Sequence, residues 1–289
     1  MKVYVNGRYY DKKNAKVSVF DHGLLYGDGV FEGIRAYNGT VFRCRDHIDR
    51  LFDSAHAILL TIPVTRDELE KIIYATLKRN KLRNAYIRVV VTRGTGDLGL
   101  DPDKCKAPSL IVITDKIVLY SDSMYKNGMS VVTVPTARVN VNAFDTRIKS
   151  LNYLNNILAK VEGKLAGVPE VIMLNSQGFV AECSGDNIFI VQDGDLLTPP
   201  EDAGILKGIT RQVVMGLAEE AGIRVIEKNM TRYNLYTTDE CFLTGTAAEV
   251  IPVVRVDGRI VGTGKPGPVT RKLLEKFRQL TVGTAVDDQ

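Results

Sequence analysis

Apolar and polar positions alternate along this chain with two different periods. Near the N-terminus "KVYVNGRYY" and "KVSVF" repeat every second residue, the spacing of short strands around turns. "GIRAYNGTVF" carries apolar runs on both sides of Asn-Gly, which predicts a hairpin. The period then lengthens. In "RDHIDRLFDSAHAIL" the residues Ile48, Leu51, Ala55 and Leu59 share one helical face. "TRDELEKIIYATLKRN" opens with Thr65 and Glu68 at capping-box spacing and predicts a second helix. "AYIRVVVTR" and "SLIVITD" are apolar enough to be central strands.

The pattern weakens over "IVLYSDSMYKN". Residues 117–127 are read as a linker between a small N-terminal α+β domain, 1–116, and a larger C-terminal α+β domain, 128–289. Beyond it, strands are expected at "MSVVTVP", "EVIMLN", "NIFIVQD" and "ECFLTG", and helices at 151–165, 209–221 and 267–280. The first of these helices takes Ser150 as N-cap and repeats Leu151, Leu154, Leu158, Val161 and Leu165 at helical spacing. Consecutive strands separated by single helices point to α+β rather than a strict βαβ alternation. The tail "TVGTAVDDQ" is expected to fray.

Composition narrows the classes. A chain of 289 residues is natural for two domains, and 45% hydrophobic with 25% charged residues is an ordinary globular balance. No apolar run approaches the ~20 residues of a membrane helix. A net charge of +4 without a long basic block leaves no nucleic-acid footprint. The N-terminus lacks an apolar signal region, and Cys44, Cys105, Cys183 and Cys241 are scattered without a CxxC pair. A cytoplasmic protein with reduced thiols is expected. Three histidines, widely spread, suggest no metal centre.

Candidate chemistry lies in short segments, each with a plainer alternative. "GTGDLG" matches a dinucleotide loop, but "LDPDKCKAP" after it cannot open a helix, so a mobile loop over a pocket is favoured. "GTGKPG" lies too near the C-terminus for that motif. "LKGITRQVV" starts a helix at a glycine with Thr210 beside it, which suits an anion or is simply a capped helix. "LTGTAAE" is a small-residue turn after a strand, a place for a ligand to meet backbone amides or merely a tight connection. Glu182 stands in strand-like "VAECSGDNIFIV", where a buried carboxylate needs a partner, either an arginine or a protonated ring nitrogen. "LYGDGVFEGIRAY" groups aromatics, glycines and Arg35 as a binding loop or a core turn would. "AYIR" puts Tyr86 and Arg88 on one side of a strand, fit for a carboxylate ligand or an ion pair. Lys149 sits one residue before the Ser150 cap, at the helix end where lysine is least favoured.

Taken in order, "YGDGVFEGIRAY", "HIDRLFDSA", "AYIR", "KSLNYLNN", "ECSGDNIF", "TPP", "LKGITR" and "TGTAAEVIPV" resemble the fold-type IV pyridoxal-phosphate enzymes. Within them the branched-chain amino acid aminotransferases are most similar. The resemblance implies a two-domain α+β fold of the D-amino acid aminotransferase-like type and a pyridoxal 5'-phosphate cofactor. It makes Lys149 the cofactor-linked lysine that carries protons during transfer. Glu182 would pair with the ring nitrogen. Arg50, Ile209, Thr210 and Thr246 would hold the phosphate, Gly208 would open the helix, Leu206 would pack on the ring and Tyr153 would bond the phenolic oxygen. Some family members have one more residue between the lysine and this tyrosine, and glycine or threonine is commoner where Cys183 stands.

For substrates, the resemblance implies an α-carboxylate site at Tyr86, Arg88 and the Thr246–Ala247 amides. Phe31, Gly33 and Leu100 would line an apolar side-chain pocket, and Arg35 would help accept the distal carboxylate of glutamate. Tyr26 resembles a residue that reaches across to a neighbouring subunit, implying a homo-oligomer, at least a dimer with shared sites. The implied reaction moves the amino group of leucine, isoleucine or valine to 2-oxoglutarate. D-amino acid aminotransferases, (R)-amine transaminases and aminodeoxychorismate lyases share the fold. The first usually carry a histidine after "VTRG" that this chain lacks.

Overall fold

The computed structural model describes residues 1–116 and 119–283, with side chains through residue 281. The described residues fall into two compact units. One gathers residues 1–116, 148–152 and 281–283, the other residues 119–147 and 153–280. Residues 117 and 118 of the expected linker, and 284–289 of the tail, lie outside the described residues.

The first unit opens with β1 (Lys2–Val5) and β2 (Arg8–Asp11), turned at Asn6 and Gly7, both at positive φ. There follow α1 (His22–Tyr26), β3 (Gly29–Tyr37), β4 (Thr40–Val41), α2 (Cys44–Ala57), α3 (Arg66–Asn80), β5 (Ala85–Thr92) and β6 (Ser109–Asp115). The strands form one antiparallel sheet in the order β2-β1-β6-β5-β3-β4. The expected hairpin is β3–β4, turned at Asn38-Gly39. The capping box at Thr65 and Glu68 is present and starts α3. One face of the sheet packs its alternate residues, including Ile34, Ile87 and Val89, with Ile48 and Leu51 of α2 and Leu69 and Ile73 of α3.

The structure corrects three expectations. "KVSVF" forms no strand, and Val17, Val19 and Phe20 stand exposed: the alternation has no strand to pair with. Residues 148–152 do not begin a helix. Lys149 and Leu151 exchange backbone hydrogen bonds with Phe31 and Gly29 along β3, and Ser150 pairs with Val30. The helix therefore starts at Leu154 with Tyr153 as its N-cap, not Ser150. Finally, the expected linker carries a helix, α4 (Asp122–Asn127).

The second unit continues with β7 (Met129–Thr133), α5 (Leu154–Leu165), β8 (Glu170–Leu174), β9 (Val180–Cys183), β10 (Asn187–Gln192) and β11 (Asp195–Thr198). It closes with α6 (Ile209–Glu220), β12 (Val225–Glu227), α7 (Arg232–Tyr236), β13 (Glu240–Gly245), β14 (Glu249–Val256), β15 (Arg259–Ile260) and α8 (Pro268–Gly283). A nine-stranded mixed sheet runs β12-β11-β10-β13-β14-β7-β8-β9, with β15 on β14. Its interior is apolar through Ile172, Ile188, Leu243 and Ile251, while Phe189 and Phe242 stack at 5.1 Å.

α5 inverts the usual polarity of a surface helix. Leu154, Leu158, Val161 and Leu165, the residues of the sequence repeat, are exposed, whereas Asn156, Ala159 and Gly163 face inward. A Cβ on Gly163 would lie 2.4 Å from the Val171 side chain, so the small residue permits the close approach of helix to sheet.

Candidate active site

In the first unit the candidate residues occupy the face of β3 and β5 turned away from α2 and α3. Register pairs Gly33 with Arg88 and Arg35 with Tyr86. Period-two alternation puts Phe31, Gly33, Arg35, Tyr86 and Arg88 on that one face. Arg88 Nη2 donates to Tyr86 Oη at 3.1 Å. A Cβ at Gly33 would lie 2.0 Å from the same Oη, so only glycine lets the phenol settle over the strand. Arg35 lies over the Tyr37 ring at 4.8 Å.

Lys149 joins this face because its strand-like segment pairs with β3. Its N donates to Ser54 Oγ of α2 at 3.1 Å, and its carbonyl accepts from Phe31 N at 2.9 Å. With the backbone held at both ends, the side chain places Nζ 4.5 Å from the centre of the Phe31 ring. The Arg88 guanidinium lies 4.4 Å from the same ring, so Phe31 contacts both cations by its π-face.

On the helix side, Glu32 has no exposure. Arg50 of α2 grips it twice, Nε to Oε1 at 2.7 Å and Nη2 to Oε2 at 2.9 Å. His47, one helical turn earlier, meets Oε2 through Nδ1 at 2.7 Å. Burial alone would raise the Glu32 carboxyl, but Arg50 and then His47 outweigh it and hold it well below the usual carboxylate range. Burial lowers the His47 imidazole against the pull of Glu32. A neutral ring beside an ionised carboxylate must carry its proton on Nδ1 and donate it.

Tyr26 and Leu100 lie in the same unit. Tyr26 ends α1, is 37% exposed and donates to Leu98 O at 2.6 Å, while Leu100 is 78% exposed. Neither is enclosed by its own unit.

In the second unit the centre is Glu182 on β9, buried among hydrogen-bonding groups. Arg138 Nη2 pairs with Oε1 at 2.6 Å, and Asn187 Nδ2 at 3.0 Å and Leu206 N at 2.9 Å donate to Oε2. Asn187 Nδ2 also donates to Leu206 O at 3.0 Å, tying the strand to the loop before α6. A Cβ on Gly208 would stand 1.9 Å from Asn187 Oδ1, which explains glycine at the N-cap. No side chain caps α6, leaving the amides at Ile209 and Thr210 to a helix N-terminus with the polarity an anion needs. Thr246 and Ala247 form the half-buried turn between β13 and β14, and Thr244 just before them has a buried hydroxyl without a hydrogen-bond partner. Tyr153 is half-buried at the start of α5.

Sequence reasoning passed over Glu32, His47 and Arg138. Glu32 had a signal: it alternates with Val30 and Ile34 on the inward side of β3, where a carboxylate demands a partner. His47 and Arg50 stand three apart, the spacing that puts both on one helical face. Arg138 had none that pointed to a partner: "PTARVNV" alternates apolar and polar residues as a strand would, yet it forms no strand, and Glu182 is remote in the chain.

Comparison with known proteins agrees over nearly the whole chain. The family described as Amino-transferase class IV matches residues 29–256. A putative branched-chain-amino-acid aminotransferase from Methanocaldococcus jannaschii is 52% identical over 280 residues, covering 97% of this chain and 96% of that protein. The crystal structure of the Escherichia coli branched-chain amino acid aminotransferase superposes with a TM-score of 0.95 at 36% identity, covering 99% of this chain and 96% of that one. The branched-chain amino acid aminotransferase from Thermobaculum terrenum, solved in its PLP form, gives 0.88 at 30% identity, covering 98% and 94%.

Proposed function

The chain belongs to the class IV aminotransferases, and from that premise we infer a transamination between branched-chain L-amino acids and 2-oxoglutarate. The products are the branched-chain 2-oxo acids and L-glutamate, and the cofactor is pyridoxal 5'-phosphate. The same-fold alternatives named from sequence are not favoured by relatives that carry the branched-chain name. The observation that carries the reading is the placement of Lys149, fixed by its backbone to β3 with its amine over Phe31, on the face that holds Tyr86 and Arg88.

The residues fit the cofactor's groups. Glu182 is a buried acceptor suited to a protonated ring nitrogen, and Arg138 and Asn187 keep it in place. The uncapped start of α6 at Ile209 and Thr210 suits a phosphate, to which Thr246 is also assigned, and Leu206 is assigned to pack on the ring. In the first unit Arg50 is assigned to the phosphate, its guanidinium oriented by Glu32. Tyr153 is assigned to the phenolic oxygen.

When bound, the cofactor supplies the carbonyl that takes up the amino group and the ring that accepts electrons from the substrate's Cα bond. Lys149 is assigned as the base: its amine takes the Cα proton in one half-reaction and returns one in the other. Tyr86 and Arg88, joined by their hydrogen bond, are assigned to the α-carboxylate, as the resemblance also assigns the Thr246–Ala247 amides. Phe31 and Gly33 give the side chain an apolar wall, and Arg35 takes the distal carboxylate of glutamate.

We also assign a cytoplasmic homo-oligomer with shared sites. The exposed stripe of α5 and the exposed apolar residues around Tyr26, such as Leu24, Leu98 and Leu100, are surfaces a second copy would cover. The four cysteines are free, as in a reducing compartment. No helix among the described residues is long and apolar enough to cross a membrane.

Steady-state assays with single donors test the function. Leucine, isoleucine and valine should all serve, because a missing methylene costs only about 1–3 kcal/mol of discrimination. Turnover of D-alanine with none of L-leucine would overturn the reading.

A further inference from the structure

Behind Glu182 the second unit buries two more carboxylates. Glu170 opens β8 and Asp186 lies in the turn between β9 and β10; their exposures are 2% and 7%. One phenol stands between them: Tyr120 Oη lies 3.0 Å from Asp186 Oδ2 and 3.4 Å from Glu170 Oε2. A hydroxyl has a single proton, so it can donate to only one of the two.

The other donors are divided unequally. Glu170 accepts from Val171 N, Ser184 N, Ser184 Oγ and Lys160 Nζ at 2.9, 3.0, 2.5 and 2.8 Å. Asp186 has Tyr120 alone among the described residues. Its Oδ1 rests against the end of β13, where a Cβ on Gly245 would come within 2.0 Å. An ionised Asp186 would be a buried charge with one donor and another carboxylate beyond that donor, the arrangement that binds a proton most readily. The asymmetry thus leaves the charge on Glu170 and a proton on Asp186. The chain then closes in one direction, Asp186 donating to Tyr120 and Tyr120 to Glu170.

We propose that Asp186 bears a proton held jointly with Tyr120 and Glu170, and that it is a positioning residue whose charge state governs the proton held at Glu182. The role rests on the reading of Glu182 as partner of the ring nitrogen. Charged and titratable groups face the trio from every side. Lys160 of α5 is committed to Glu170, and Arg138 to Glu182. The Cys183 and Cys241 thiols are pushed up by burial and stay neutral. Burial, then Asp186 and Glu170, raise the Tyr120 phenol so that it remains a donor. Burial first and the Glu170 charge second push Asp186 up to about 7.

Asp186 adjoins Glu182 through the β9–β10 turn: Cys183 N, next to Glu182, donates to Asp186 O at 2.8 Å, and Asn187, next to Asp186, donates to Glu182 at 3.0 Å. As pH rises and Asp186 ionises, a second anion therefore appears beside Glu182. That anion favours a proton on the base that Glu182 holds, so the ring nitrogen keeps its proton to higher pH. Asp186→Asn cannot supply the charge. Its activity at neutral pH should stay near wild type, while the alkaline limb of kcat/KM moves down by about one pH unit, roughly tenfold on that limb.

Infrared difference spectra of the holoenzyme across neutral pH provide the direct test. Wild type should lose the carbonyl stretch of a protonated carboxyl as pH rises, and Asp186→Asn should lack that change. Tyr120→Phe removes the one donor to the anion and should move the transition to higher pH, which keeps the test available if Asp186→Asn does not fold. A wild-type spectrum without this transition, or one unchanged in the variants, would overturn the proposal, as would superimposable pH profiles for wild type and Asp186→Asn. The infrared change needs no turnover, so its absence leaves the transaminase reading intact. Failure to turn over leucine would equally leave the shared proton intact.

Discussion

Glu32, Arg50 and His47 show how much of a site can depend on one inward carboxylate. Both depressed groups act in the same direction. Glu32 is lowered from an ordinary 4.5, so its stabilisation is full above that value and fades as pH falls below it. His47 is lowered from 6.5, so its neutral form also favours the fold above that value, and the contribution fades as acid reaches its folded value. Glu32→Gln should cost about 3 kcal/mol at pH 7, since it leaves Arg50 with half its buried partner, and flatten the loss of stability below pH 4.5. Denaturant titrations at two pH values measure both effects, and cofactor retention should fall with them. For Gly33→Ala the new methyl meets Tyr86 Oη and displaces the Tyr86–Arg88 pair proposed for the α-carboxylate, so KM for leucine should rise about tenfold with little change in stability. At this scale the sequence was legible wherever a residue had a local pattern. Lys149 could be suspected from its misplaced charge and Glu182 from its apolar neighbours. Arg138 could not, because its partner Glu182 is remote in the chain and the alternating segment around it forms no strand.

Periodicity reports which residues of an element share a face, not what covers that face. On α5 the repeat of leucines was read correctly as helical, yet those leucines point outward and Asn156, Ala159 and Gly163 point in. Leu158→Lys should therefore leave the fold intact and weaken self-association, visible as a shift toward monomer in sedimentation velocity. An unchanged sedimentation coefficient across concentration would remove this helix from the interface. The start of α5 was misplaced for a related reason. Leu151 continues the leucine repeat and Ser150 resembles a cap, but the hydrogen bonds of residues 149–151 go to β3, and a pairing partner that distant leaves no local mark. α3 is the contrasting case: its cap is a local device, and both Thr65 and Glu68 act as their spacing implied. Thr65→Ala should cost about 1 kcal/mol in thermal unfolding without touching activity.

On the scale of the whole molecule, the family was legible because its motifs follow one another in order, and the family matches residues 29–256. The division of the chain was less so, since the lysine segment returns to the first unit between two stretches of the second. That return gives the account its central claim: a short strand-like insert positions Lys149 for proton transfer at the Cα of a branched-chain L-amino acid. The most direct measurement is nuclear magnetic resonance of the Cα hydrogen in heavy water, with holoenzyme and no acceptor. Wild type should exchange the Cα hydrogen of L-leucine and leave D-alanine untouched, and Lys149→Ala should exchange neither. Exchange of D-alanine in place of L-leucine, or undiminished exchange in Lys149→Ala, would contradict it.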